Sequence, residues 1–169
     1  MNAPIDFYMD PLSPWAWTTA RWLEEVVTLR GITVRWQVMC MDILHADDPD
    51  GTPVREWFRA TWRAPRVIEA ARAGHGDEAA RALMFEIGRR TNVERNRDLD
   101  DVLAQSLASC GLPAALVEQA DLETFDAAVR ASHDAAMALA GTDIGTPVIA
   151  VPGADGEQVG FFGPVVSPT

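Results

Sequence analysis

The residues with most chemistry to offer stand in one tight stretch, Asp10-Pro11-Leu12-Ser13-Pro14-Trp15-Ala16. A serine followed by proline reads as a helix start, with the hydroxyl as N-cap and Pro14 at the first helical position. The first N–H groups of a helix lack intrahelical partners and carry partial positive charge, so such a corner attracts anions. Disulfide exchange there would need a thiolate to attack and a second thiol to resolve the mixed disulfide. Ser13 and Ala16 supply neither. The two cysteines of the chain, Cys40 and Cys110, form no CxxC and no metal-ligand spacing. They are expected to be inert, buried thiols. Two-cysteine chemistry at this corner is excluded.

Ser13 fails as a nucleophile on magnitude. A helix N-terminus stabilises an anion by about 0.3–1 kcal/mol, rising to ~2 when partly buried. One pKa unit corresponds to about 1.4 kcal/mol, so the helix moves a hydroxyl by roughly one unit and leaves it protonated at neutral pH. No neighbouring His or Lys offers itself as a base. As a donor Ser13 is better placed. A small thiol has a pKa near that of free cysteine, and a shift of one or two units raises its thiolate fraction substantially. The Ser13 hydroxyl and the first helical N–H groups would hold such a sulfur as an anion.

The remaining candidates have plain structural readings beside the functional ones. His45 and His133 are isolated, and a lone histidine is more often structural. Trp15 and Trp17 either line a pocket or join the core, with Trp17 the better core residue. Arg55, Trp57, Arg59 and Trp62 read as a cleft edge or as a solvated helix face with buried tryptophans. Asp42, Asp47, Asp48 and Asp50 match no calcium loop, and no metal is expected. A net charge of −11 over 169 residues excludes a nucleic-acid surface. No apolar run reaches the ~20 residues of a membrane span. No secretory signal is visible at the N-terminus, so a cytoplasmic location is expected.

The elements that must position this corner follow from periodicity. Residues 5–9 read as a strand, and residues 14–30 as a helix with apolar positions Trp15, Ala16, Ala20, Leu23, Val26 and Val27, ended by Gly31. Ile32, Val34, Trp36 and Val38 alternate with polar residues as a second strand, parallel to the first by the crossover rule. After a loop at 45–53 come helices over 54–62, 65–73 and 78–90. Asp98 caps another helix, Pro113 opens a short one, and Asp121 caps a last one that closes at Gly141. Residues 147–151 and 158–162 read as a hairpin. The order predicts an α/β domain with a large all-helical insertion, divided as 1–45, 46–141 and 142–169.

That order, the corner, Gly145-Thr146-Pro147-Val148 and Gly160-Phe161-Phe162-Gly163-Pro164 together resemble the DsbA-type thioredoxin-like fold. The corner is similar to that family's Asp-Pro-x-Cys-Pro-Trp-Cys-Trp, with Ser13 and Ala16 in place of both cysteines. Arg21-Trp22-Leu23, Ala104-Gln105-Ser106-Leu107 and Ser132-His133 look most like the mycothiol-dependent nitroreductase branch. The corner also resembles kappa-class glutathione transferases and 2-hydroxychromene-2-carboxylate isomerases, which carry a serine there. The resemblance implies that Pro147 is cis and exposes the Thr146 backbone to a cofactor's peptide-like portion. It implies mycothiol or glutathione as bound thiol cosubstrate, with Ser13 and Trp15 as catalytic residues and Pro14, Thr146 and Pro147 as binding residues. Ala16 and His45 would back the site residues or line the cleft.

Three functions stay open. One is a thiol-dependent transferase, isomerase or reductase acting on an electrophile. Another is a redox-silent module that binds thiols or peptides. The last is a Cys-to-Ser/Ala inactive form of a mycothiol-dependent nitroreductase or disulfide oxidoreductase. The chain ends where the resemblance expects a closing helix, which predicts an open apolar face near Val148, Val151 and Phe161 and, through it, a possible homodimer.

Overall fold

The computed structural model describes residues 4–164. Strand β1 (Ile5–Met9) runs into helix α1 (Pro14–Arg30) and then strand β2 (Val34–Val38). β1 and β2 pair in parallel from Ile5↔Val34 to Met9↔Val38, as the crossover rule requires. Gly31, at φ 62°, ends α1 in the left-handed conformation that lets its N–H reach the Val27 carbonyl.

A helical block follows: α2 (Met41–Leu44), α3 (Pro53–Ala60), α4 (Arg63–His75), α5 (Asp77–Asn92), α6 (Leu99–Ser109), two 3-10 segments and α7 (Asp126–Ala140). The chain returns as β3 (Val148–Pro152) and β4 (Gln158–Phe162), an antiparallel hairpin. β3 pairs antiparallel with β1, giving the sheet order β2-β1-β3-β4.

Alternation along the strands divides the core. Phe7, Met9, Trp36 and Val38 face α1 and the insertion, against Ala16, Ala20, Leu23, Val67, Leu83 and Ile87. Tyr8, Val148 and Ala150 face the other way, onto Ala136, Met137 and Leu139 of α7. A chain of edge-on rings crosses the first core: Phe7 to Trp36 at 5.3 Å, Trp36 to Phe85 at 4.8 Å and Phe85 to Trp17 at 5.9 Å between centroids. It joins β1, β2, α5 and α1, and so locks the insertion to the helix that carries the corner.

Several expectations need correction. Trp15, assigned to the apolar stripe of α1, is 55% exposed, while Trp17 is 8% exposed. Pro14 and Trp15 open the first turn, and both are exposed. Val148 cannot share an open face with Val151 and Phe161, because the strand period is two; α7 covers it completely. Phe161 and Val159 remain 52% and 43% exposed on the α1 side. The expected absence of a closing helix falls on the end of the chain, outside the described residues. Residues 41–44 form the short helix α2, which no periodic signal announced. Asp121 ends a 3-10 segment and pairs with Arg63 rather than capping α7, which begins at Asp126.

Gly88 of α5 sits under Trp17. A Cβ at Gly88 would stand 2.5 Å from Cε3 of that ring and 3.4 Å from the Pro11 carbonyl. Gly88→Ala is therefore expected to displace Trp17 and lower stability by about 1–3 kcal/mol in urea unfolding. A variant as stable as wild type would show that this contact is not tight.

Candidate functional site

Ser13 caps α1 as its sequence predicts: its backbone is extended and its Oγ accepts the Ala16 N–H at 3.3 Å. The first turn then has few donors left. Pro14 has no N–H, the Ala16 N–H goes to Ser13 Oγ, and the Trp17 N–H goes to the Ser13 carbonyl at 2.9 Å. Among the described residues, neither the Trp15 N–H nor the Ser13 hydroxyl proton has an acceptor. These two donors are what the helix mouth offers an anion. Ser13 is only 4% exposed, so a ligand would reach it end-on, past Pro14 and Trp15.

The Thr146–Pro147 peptide bond is cis. Among the described residues the Thr146 backbone N–H and carbonyl have no partner, whereas the Pro147 carbonyl accepts the Gly163 N–H at 2.9 Å. The Thr146 side chain is engaged: its Oγ1 accepts the Asp10 N–H at 3.1 Å. This bond joins the cis-proline loop to the corner.

Asp10 was not among the candidate residues, although it opens the motif. Its carboxylate has no solvent exposure; Oδ1 accepts the Leu12 N–H at 2.9 Å and Oδ2 the Met41 N–H at 2.8 Å. Burial pushes this carboxyl up to about 7, against the pull of those two N–H donors. The sequence signal that could have found it is Asp-Pro before a capped helix, which favours a side-chain-closed turn. From the insertion, Asn92 Nδ2 donates to the Pro11 and Gly88 carbonyls, both at 2.9 Å. Gly88 and Asn92, four apart on one face of α5, brace the same loop and were also missed. A glycine inside an amphipathic helix followed one turn later by asparagine was the available cue.

The exit of β2 is clamped from α7. Ser132 Oγ donates to the Val38 carbonyl at 2.7 Å, and buried His133 accepts the Cys40 N–H through Nδ1 at 3.3 Å. Burial lowers the His133 pKa, which keeps the ring neutral and fit to accept. Cys40 has no exposure, and burial pushes its thiol up to about 12; Cys110 is half-buried and its thiol is also raised by burial. Neither favours a thiolate.

His45, expected to line the cleft, lies at the end of α2; its Nδ1 meets Asp48 Oδ2 at 3.0 Å and its ring stacks on Phe58 at 3.8 Å. Ala16 is fully buried under the first turn and presents no group to a ligand. Asp42 holds buried Arg55 and accepts Trp62 Nε1 at 2.7 Å, so both residues are occupied as a structural pair. Trp57 sits at the surface. Among the described residues, no three His, Cys, Asp or Glu side chains are grouped to hold a metal. None of the described helices is long and apolar enough to cross a membrane. A groove of about 310 Å³ runs between α1 and α5, lined by Trp17, Arg21, Phe85, Arg89 and Val93 among others.

A four-stranded sheet in this order, with a capped helix facing a cis-proline loop and a helical insertion between β2 and β3, defines a DsbA-type thioredoxin-like protein. Solved structures share the arrangement. The cytosolic disulfide reductase DsbM from Pseudomonas aeruginosa, with GSH, aligns at TM-score 0.63 and 22% identity, covering 88% of this chain and 86% of that one. A 2-hydroxychromene-2-carboxylate isomerase aligns at 0.67 and 14% identity, covering 94% and 89%. The uncharacterised Mycobacterium tuberculosis protein Rv2286c is 27% identical over 164 residues, 96% of this chain and 68% of its own length. The model of the Rv2466c-like mycothiol-dependent nitroreductase family matches residues 12–169, and the chain belongs to that family.

The Asp10 carboxyl gives a pH signature. Its folded-state pKa lies above the unfolded 3.8, so between about pH 4 and 7 the folded chain keeps a proton that the unfolded chain releases. Stability from this group is therefore fully present below about 4 and is lost as pH rises through about 7. His133 has the opposite slope, but it is common to wild type and variant. The difference in unfolding free energy, wild type minus Asp10→Asn, is expected to fall across this window in denaturant titrations. A difference independent of pH would show that Asp10 is ionised in the fold.

Proposed function

We propose that the corner binds a low-molecular-weight thiol, mycothiol or glutathione, as its thiolate, for thiol-dependent transfer to an electrophile or its isomerisation or reduction. One observation carries this reading: two donors without acceptors among the described residues, the Ser13 hydroxyl and the Trp15 N–H, stand at a helix mouth tied through Asp10 to a cis-proline loop. The family's dependence on mycothiol and the glutathione in the DsbM structure support the choice of thiol. The residues fit a bound thiol. They do not fit a cysteine relay, because Ser13 and Ala16 hold no sulfur.

When bound, the thiol supplies the nucleophilic sulfur that the chain lacks. The Ser13 hydroxyl donates to that sulfur, and the Trp15 N–H and the helix dipole add to its stabilisation. A hydrogen bond to a charged group is worth about 1.5–3 kcal/mol net, which lowers a thiol of ordinary pKa by about 1–2 units and brings its titration close to neutral pH. The Thr146 backbone N–H and carbonyl align the peptide-like portion as strand addition does, with Pro147 and Pro14 as flanking walls. The exposed Trp15 ring offers a flat surface to the electrophile. The Trp17 groove begins four residues along α1 from Ser13, about 6 Å down the axis, and offers room for its apolar body. We place the protein in the cytoplasm, where reduced thiols abound and where DsbM, by its description, acts. A homodimer through the exposed Val159 and Phe161 is part of the same proposal, read out by sizing.

The slight exposure of Ser13 favours one alternative, a redox-silent binder of thiols or peptides. Turnover of an electrophile with bound thiol separates the two.

Titration calorimetry with mycothiol and glutathione tests the reading. Ser13→Ala is expected to weaken thiol binding by about tenfold or more, the loss of one hydrogen bond to a charged group. The same change removes the N-cap and costs about 1 kcal/mol of stability, so binding is measured well below the variant's Tm. Thiol affinity unchanged in Ser13→Ala would sink the proposal.

A further inference from the structure

Three segments distant in sequence meet at the corner: the turn that leads into α1, the exit of β2 and the cis-proline loop. Asp10 touches all of them. Its Oδ1 takes the Leu12 N–H at 2.9 Å, its Oδ2 takes the Met41 N–H at 2.8 Å, and its own N–H donates to Thr146 Oγ1 at 3.1 Å. The side chain is sealed from solvent.

We propose that Asp10 is the positioning residue of the thiol site: its side chain fixes the turn before α1 against the exit of β2, and that fixed turn presents the backbone N–H from which the cis-proline loop hangs. Thiol affinity then depends on a side chain that touches no ligand; this rests on the thiol-binding reading above. The chemistry explains why a carboxylate stands here. Two N–H groups converge, one from the same turn and one from the exit of β2, and the ionised carboxylate gives each its own acceptor oxygen. An asparagine of the same shape would turn its NH₂ toward one of those N–H donors. Burying a polar group is costly unless its hydrogen bonds are made, and here both oxygens are used. Thr146 completes the tie, because its hydroxyl accepts while its backbone stays free for a ligand.

The variants Asp10→Asn, Thr146→Val and Thr146→Ser test this in two ways. Calorimetry with glutathione and mycothiol reads affinity. Amide hydrogen exchange at Asp10, Leu12 and Met41, measured without ligand, reads the corner itself. Asp10→Asn is expected to speed exchange at Leu12 or Met41 and to weaken thiol binding about tenfold. Thr146→Val, which keeps shape but deletes the acceptor, is expected to speed exchange at Asp10 and weaken binding similarly; Thr146→Ser restores both. Faster exchange with wild-type affinity overturns the positioning role, and so does unchanged exchange. A wild-type protein that binds neither thiol defeats the thiol-binding reading instead. Exchange then still decides whether Asp10 holds the corner: protection lost supports it, protection kept overturns it. If Asp10→Asn does not fold, the Thr146 pair carries the same comparison.

Discussion

A carboxylate sealed from water has to find its hydrogen bonds inside the protein, and Asp10 finds one in its own turn and one on the exit of β2, 31 residues away. The turn before α1 closes on one oxygen and the exit of β2 on the other. The cis-proline loop hangs from the Asp10 N–H through Thr146. The Ser13 hydroxyl stands at the end of this same turn. The near-neutral titration of Asp10 follows from its burial, which outweighs its two N–H partners.

The insertion packs against the corner through α5. Trp36, Phe85 and Trp17 form edge-on contacts that carry the sheet's position to α1 through α5. Gly88 allows Trp17 to sit against α5, and Asn92 ties α5 to the Pro11 carbonyl. On the far side, Ser132 and His133 of α7 hold the exit of β2, directly before the Met41 N–H that Asp10 binds. Helices on both faces of the sheet therefore hold the two segments that Asp10 joins, α5 the turn before α1 and α7 the exit of β2.

Membership in a mycothiol-dependent family, combined with a corner that has no sulfur, narrows the chemistry by subtraction. A hydroxyl at a helix mouth is too weak an acid to become the nucleophile but strong enough as a donor to hold one. The magnitudes, about one pKa unit from the dipole against the many a serine would need, exclude the nucleophile's role.

The chain order alone determined much of the fold. Ser13-Pro14 marked the start of α1, Gly31 its end, and the alternation from Ile32 to Val38 the second strand, because caps and periodicity are local effects. The corner's lack of thiols was equally legible, since it depends only on residue identity. The exposure of Trp15, the covering of Val148 by α7 and the convergence of Asp10, Met41 and Thr146 were decided by tertiary structure alone. Each depends on contacts between residues 31 to 136 positions apart or on which helix lies over which face. Spacing along a chain shows that a side chain can point inward, but only the packed neighbours determine what it meets there.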